Sequence, residues 1–355
     1  MNKKIKALVV DDSAFMRKSI SIMLESDGEI EVVGTARDGE EGVKLAHSLR
    51  PDIITLDIEM PKMDGLTALQ KIMKECPTSV LMLSSLTTEG ADVTLKALEY
   101  GAVDFIPKEL SYVNINIVKI KEDLLSKIKS IVHHRLVRER LRKVHSLVQT
   151  KAPVKLAAGK SLPRMVYSAV ALGISTGGPM SLQKLIPKLS DRIKCPIFIV
   201  QHMPPKFTKS LAERLNGMSR LEVKEAENGE TVRGGVVYIA PGGFHMALNK
   251  SHSGKVTINI TEEPAETLHR PSVDVMMGSV INVYGKHTLG VIMTGMGKDG
   301  LNAVKELKNL GGSCLAQDEQ SCVVYGMPKS VVDAGLADVV APLENISEII
   351  NKAIL

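Results

Sequence analysis

Short apolar runs alternate with longer amphipathic stretches through the first hundred residues. The runs "KALVV", "EVVGTA", "DIITLD", "SVLMLSS" and "AVDFI" are five to seven residues long. Helical stretches are predicted between them near 13–26, 39–49, 65–75 and 90–100, with Gly39, Pro61, Gly65, Gly90 and Gly101 as boundaries. Five strands alternating with helices predict a parallel sheet wound on both faces.

From about Asn114 to Gln149 the pattern becomes one long basic helix in which Ile117, Ile120, Leu124, Ile128 and Ile131 keep helical spacing. Its first part is expected to pack as the last helix of the first domain and its second part to lead away. "QTKAPVKLAAGKSLPR" then loses periodicity and reads as linker. A second alternating series begins near Met165. Its strands are "MVYSAVALG", "CPIFIVQ", "VVYIA", "VTINI", "HTLGVIMTG" and "GSCLAQ"; its helices lie near 178–189, 206–216, 272–284, 299–310 and 343–354. "VVYIAPGGFHMAL" reads as two strands joined by a Pro-Gly-Gly turn, which predicts an antiparallel hairpin in an otherwise mostly parallel sheet. The fold class is therefore α/β with two doubly wound domains. The expected division is 1–125, a helical basic segment and linker over 126–164, and 165–355.

Length and composition agree with this division. A chain of 355 residues is long enough for two cores. The opening "MNKKIKALVVDDS" has too short an apolar run for a secretion signal, and no segment approaches the roughly 20 apolar residues of a membrane span. The four cysteines, Cys76, Cys195, Cys314 and Cys322, are scattered and read as thiols of a reducing, cytoplasmic compartment. Residues 119–160 hold twelve Lys/Arg against three Asp/Glu, a local +9 in a net +5, so the rest of the chain carries −4. The basic balance belongs to one helix and linker, which argues against nucleic acid as a partner of the whole chain.

In the first domain, Asp11 and Asp12 follow the first strand, Asp57 ends the third, Ser84 ends the fourth and Lys108 follows the fifth. Strand carboxyl ends share one edge of a wound sheet, where ligands bind. Gathered carboxylates repel one another unless they hold a cation, and hard oxygen ligands with an open face suit Mg²⁺. Asp57 could then act as a carboxylate nucleophile toward a phosphoryl group, with Lys108 supplying positive charge. The motifs "VVDDS", "LDIEMPKMDG", "LSS" and "GAVDFIPK", in this order, resemble the receiver domain of two-component response regulators. The resemblance implies phosphorylation at Asp57, Mg²⁺ on Asp11, Asp12 and Asp57, and phosphoryl contacts from Lys108 and Ser84. It implies a histidine kinase as phosphoryl donor. In such domains proline commonly follows this lysine; here Glu109 does, with Pro107 before it.

In the second domain, "ALGISTGGPM" carries the G-x-S-x-G spacing of a strained turn that exposes a serine, Ser175. Serine needs a base at neutral pH, and His202 follows the next strand in "CPIFIVQHMPPKF". Asp299 closes the turn of "GVIMTGMGKDG", either as a helix N-cap or as the acid that orients His202. The order Ser, His, Asp differs from the Ser, Asp, His order of α/β-hydrolases. "GISTGG" lacks the central glycine of a dinucleotide loop, and Gln201 ends the next strand. A response regulator with a DNA-binding or non-catalytic adaptor output is the competing reading.

"GISTGGP", "FIVQHMP", "YIAPGGFHM", "RPSVDVMM" and "TGMGKDG" follow one another in order after the receiver motifs. The whole chain resembles the chemotaxis-type protein-glutamate methylesterases and glutamine deamidases. That resemblance implies hydrolysis of glutamate methyl esters on the cytoplasmic domains of methylated chemoreceptors, through an acyl-enzyme at Ser175. It implies an oxyanion contact from the Met296 backbone, a site lined by Thr176, a positioning role for Arg270 and no cofactor in the esterase site. Direct membrane insertion is not expected.

Overall fold

A computed structural model describes residues 4–108, 117–148 and 162–355. Glu109 and residues 149–161 of the expected linker lie outside the described residues. Two compact units emerge, Met1–Val137 and Arg138–Leu355.

The first unit runs β1 (Ile5–Val10), α1 (Ala14–Glu25), β2 (Ile30–Ala36), α2 (Gly39–Leu49), β3 (Ile53–Asp57), α3 (Gly65–Glu75), β4 (Ser79–Ser84), α4 (Thr88–Glu99), β5 (Asp104–Pro107) and the part of α5 (Ile117–Val148) up to Val137. The five strands form a parallel sheet in the order β2-β1-β3-β4-β5. Ser13, Asp38, Asp64 and Thr87 cap α1 to α4, each side chain accepting a first-turn N–H. Asp57 pairs in register with Leu83, and Ser84 with Pro107. Asp57, Ser84 and Lys108 are thereby set along one edge.

Helix α5 buries Leu124, Ile128 and Ile131, three of the five positions whose spacing predicted it. Its charges are not all turned to water. Lys127 pairs with Asp104 at 3.2 Å, Lys129 with Asp27 at 2.7 Å and Arg135 with Asp52 at 3.0 Å. These three cations tie the helix to β5 and to the loops that lead into β2 and β3. The helix is continuous across residue 125, where the sequence pattern placed a division.

The second unit contains β6 (Ala169–Ile174), α6 (Gly178–Leu185), β7 (Ile197–Gln201), α7 (Phe207–Met218), β8 (Glu222–Glu225), β9 (Val236–Ile239), β10 (His245–Lys250), β11 (Val256–Thr261), α8 (Val273–Tyr284), β12 (Thr288–Ile292), α9 (Leu301–Asn309), β13 (Ser313–Gln317), α10 (Met327–Asp333), β14 (Val339–Ala341) and α11 (Leu343–Ile354). Seven strands form a parallel sheet in the order β14-β13-β12-β6-β7-β9-β8. The expected hairpin across Pro-Gly-Gly is corrected: β9 stays in this sheet, whereas β10 pairs antiparallel with β11 in a separate two-stranded sheet. Close packing explains the break, because a Cβ on Gly242 would meet the backbone of Pro204 at 2.3 Å. The turn is pressed onto the loop after β7 and sends β10 away.

Strand β6 lies between β7, which leads to one half of the sheet, and β12, which leads to the other. A topological switch point of this kind opens a crevice at the strand carboxyl ends. Ser175, His202 and the 293–299 turn all emerge there.

Candidate active site and acidic pocket

Ser175 follows β6 and is fixed by its backbone. Its N–H donates to Thr294 O at 2.9 Å, and its carbonyl accepts from Gly178 N at 2.7 Å and Gln201 Nε2 at 3.0 Å. A Cβ on Gly295 would fall 2.7 Å from Ser175 Cβ, so the turn after β12 lies directly against the serine. The expected strain sits elsewhere than on the serine: Gly177 takes the positive φ of 74°. Thr176 is buried, and its carbonyl accepts from Thr294 Oγ1 at 2.9 Å.

His202 follows β7, and its largely buried ring places Nε2 at 2.8 Å from Asp299 Oδ2. The other nitrogen, Nδ1, is buried without a hydrogen-bond partner. The carboxylate fixes the tautomer: Nε2–H donates, and Nδ1 carries a lone pair. The ring of His269 stacks on that of His202, with centroids 4.1 Å apart and planes 21° apart.

Asp299 precedes α9 but does not cap it; Gly300 holds the cap position, at φ 94°. Its carboxylate instead takes the N-terminus of α8. Oδ2 accepts from Val273 N at 2.7 Å, and Oδ1 from Asp274 N and Ser272 Oγ, each at 3.0 Å. Asp274 returns the arrangement, accepting from Ala303 N at 2.8 Å in the first turn of α9. Burial opposes the Asp299 charge, but His202 and the α8 N–H groups outweigh it and hold the carboxyl well below the usual carboxylate range.

Met296 is half-buried in the turn after β12, where Gly326 N and Met327 N both donate to Gly295 O. Arg270 faces Glu262 at 3.6 Å and Ala265 O at 3.4 Å. Ser175, Thr176, His202, Met296 and Asp299 thus come from loops at one sheet edge. Gln201, Ser272, Asp274, Thr294 and His269 join them without having been singled out as site residues. Gln201 gave one signal, a polar residue closing an apolar strand.

In the first unit, Lys108 Nζ lies 2.6 Å from Asp57 Oδ2 and 2.9 Å from Asp11 Oδ2. Burial pushes the Asp57 carboxyl up to about 6, against the opposing pull of Lys108. Burial also disfavours the Lys108 charge, yet its bonds to Asp57 and Asp11 hold it above the ordinary lysine range. The hydroxyl of Ser84 is fully buried and accepts from Thr94 Oγ1 at 2.6 Å, turned into the α4 side of the pocket.

Oxygens of Asp11, Asp12 and Asp57 lie within 4.8 Å of one another, with Asp12 exposed. Octahedral Mg²⁺ holds oxygens at about 2.1 Å, placing opposite ligands about 4.2 Å apart. The three carboxylates fit such an ion after a small contraction. Asp11 Oδ2 faces Lys108 Nζ at 2.9 Å, a position a cation already favours.

Comparison with known proteins separates the same two parts. Residues 170–350 match the family model of the CheB methylesterase, and residues 7–117 that of the response regulator receiver domain. A protein-glutamate methylesterase/protein-glutamine glutaminase of Pyrococcus horikoshii is 47% identical over 100% of this chain and 95% of its own length. One from Oleidesulfovibrio alaskensis is 49% identical over 99% of both. The crystal structure of the Thermotoga maritima CheB methylesterase catalytic domain is 46% identical, covers 53% of this chain and 99% of its own, and superposes with a TM-score of 0.51. Among the described residues, no helix is long and apolar enough to cross a membrane.

Proposed function

Because this chain belongs to the CheB methylesterase family and carries a receiver domain ahead of the esterase domain, we propose that it hydrolyses glutamate methyl esters on chemoreceptors, and deamidates receptor glutamines, under control of phosphorylation. The observation that carries the reading is His202 itself: Asp299 holds its Nε2, its Nδ1 is buried without a partner, and it follows the strand end paired with the one that Ser175 follows.

Ser175 Oγ attacks the ester carbonyl carbon while its proton passes to His202 Nδ1. The pair closes when substrate is bound, as catalytic contacts often do. Asp299 stabilises the imidazolium that results. The backbone N–H of Met296 donates to the oxyanion of the tetrahedral intermediate, and Thr176 lines the same pocket. Collapse breaks the C–O bond, and methoxide leaves with the His202 proton as methanol. Water then attacks the acyl ester, gives its proton to His202, and restores Ser175 with the receptor carboxylate released. A glutamine side chain follows the same path and releases ammonia.

The receiver supplies the control. The carboxylate of Asp57 attacks phosphorus in a histidine kinase's phosphohistidine or in a small acyl phosphate, and the P–N or P–O bond breaks to release the histidine or the donor's carboxylate. Asp11, Asp12 and Asp57 would hold Mg²⁺, which when bound neutralises charge on the transferring oxygens. Lys108 exchanges its carboxylate partners for the phosphoryl group, and the Ser84 hydroxyl, which donates to Ser85 O and Gly90 O, turns its proton to it. The partners are cytoplasmic receptor domains and a histidine kinase, and the protein works in the cytoplasm without nucleic acid or membrane insertion. Methanol release from membranes bearing methylated receptors, with and without acetyl phosphate and Mg²⁺, tests the reading.

A further inference from the structure

We propose that His245 is a positioning residue for hydrolysis: as the neutral tautomer protonated on Nε2, it fixes Ser272 and, through Ser272, the carboxylate of Asp299. The inference rests on the reading of Ser175, His202 and Asp299 as the hydrolytic triad and adds a third layer behind its acid.

His245 opens β10 and is fully buried. The backbone N–H of Ser272 lies 3.2 Å from its Nδ1, and an N–H can only donate, so Nδ1 is the acceptor. In a neutral ring Nε2 then carries the proton, and it faces Thr267 Oγ1 at 3.1 Å. Thr267 in turn faces Pro264 O at 3.4 Å, an acceptor that takes its hydroxyl proton. Ser272, held at its N–H, donates through Oγ to Asp299 Oδ1 at 3.0 Å, and Asp299 reaches His202 at 2.8 Å. Each donor and acceptor in the series is set by its neighbour, and a protonated His245 would oppose Nδ1–H to the Ser272 N–H.

The surroundings keep the ring neutral. Burial lowers its proton affinity and Arg270 adds to that, while the Pro264 carbonyl, Asp299 and Glu263 pull the other way without prevailing. The segment from Pro264 to Ser272 is pinned at Thr267 by this histidine and at the Arg270 carbonyl by Gly243 N at 3.1 Å. That same segment carries His269, whose ring covers His202. One buried side chain thereby sets a strap that touches both the base and the acid.

The test compares His245→Leu, His245→Asn and Thr267→Val in the full chain, with wild type and Ser175→Ala as references. Asparagine places an oxygen acceptor where Nδ1 stands; leucine fills the space without one. His245→Leu should lower kcat for methanol release at least about tenfold, with KM within about twofold. His245→Asn should recover to within about threefold of wild type, and Thr267→Val, on a half-buried loop, should lower kcat about threefold. In His245→Leu the downfield proton resonance of the His202–Asp299 hydrogen bond should broaden or shift. Wild-type kcat in His245→Leu, or equal losses in the leucine and asparagine variants, would overturn the proposal. If His245→Leu does not fold, an unchanged kcat in Thr267→Val overturns it alone. Absence of methanol release by wild type would instead reject the esterase reading itself.

Discussion

Gln201 donates through Nε2 to Ser175 O at 3.0 Å, and the same nitrogen reaches His202 O at 3.2 Å. The bond follows from register, because Ile174 at the end of β6 pairs with Gln201 at the end of β7. A single buried amide thus couples the loops that carry the proposed nucleophile and base. Gly178 leaves room for it, since a Cβ there would fall 1.8 Å from Gln201 Oε1.

Gln201→Leu should therefore lower kcat about 10- to 100-fold by loosening both loops. Gly178→Ala should show a loss of the same kind, because the new methyl displaces the Gln201 side chain. Steady-state methanol release, with urea unfolding to check that both variants fold, measures the effect. Full activity in Gly178→Ala would show that the clamp is dispensable.

Asp299→Asn should reduce turnover about 10³- to 10⁴-fold, since the neutral amide no longer fixes the tautomer or stabilises the imidazolium. It should also cost about 1–3 kcal/mol at pH 7, because two α8 N–H groups lose a charged acceptor. The folded-state carboxyl is depressed, so the wild-type advantage is present above the unfolded pKa. It should begin to shrink below about pH 4. Denaturation of both proteins across that range checks the sign.

The Asp57 carboxyl is shifted the other way, up to about 6. Its contribution to stability is present below the unfolded pKa and is lost as pH rises through the folded value. Asp57→Asn stays neutral, so it should be more stable than wild type at pH 8 by about 1–3 kcal/mol, with the difference vanishing toward pH 4. Added Mg²⁺ should stabilise wild type at pH 8 and leave the variant nearly unchanged. Calorimetric scans at several pH values, with and without Mg²⁺, read both effects.

Lys108→Ala removes the cation between Asp11 and Asp57. Labelling by acetyl phosphate should persist, while the rise in esterase activity on phosphorylation should be largely lost. Parallel measurement of phosphoprotein and methanol release separates the two; a normal rise would remove Lys108 from the coupling.

The strand ends carrying Asp57, Ser84, Lys108, Ser175 and His202 were legible because uninterrupted apolar runs stop at them. The residues that complete the site were not, because their roles are set by contacts between distant elements. Asp299 read equally well as a cap of its own helix; only the packing of α8 against α9 shows it serving the other one. Gln201 marked itself only as a polar residue closing an apolar strand, and it and Thr294 bind backbone carbonyls of other loops, partners that side-chain patterns do not reveal. The Pro-Gly-Gly turn misled for a similar reason: local turn chemistry favoured a hairpin, and packing on Pro204 overrode it.

The central claim is that one serine performs the hydrolysis and one aspartate controls it. Methanol release from methylated receptor membranes by wild type, Ser175→Ala and Asp57→Asn, each with and without acetyl phosphate and Mg²⁺, tests both halves together. The account predicts stimulated release by wild type, none above background by a folded Ser175→Ala, and unstimulated basal release by Asp57→Asn. Near-normal release by Ser175→Ala, or full stimulation of Asp57→Asn, would contradict it.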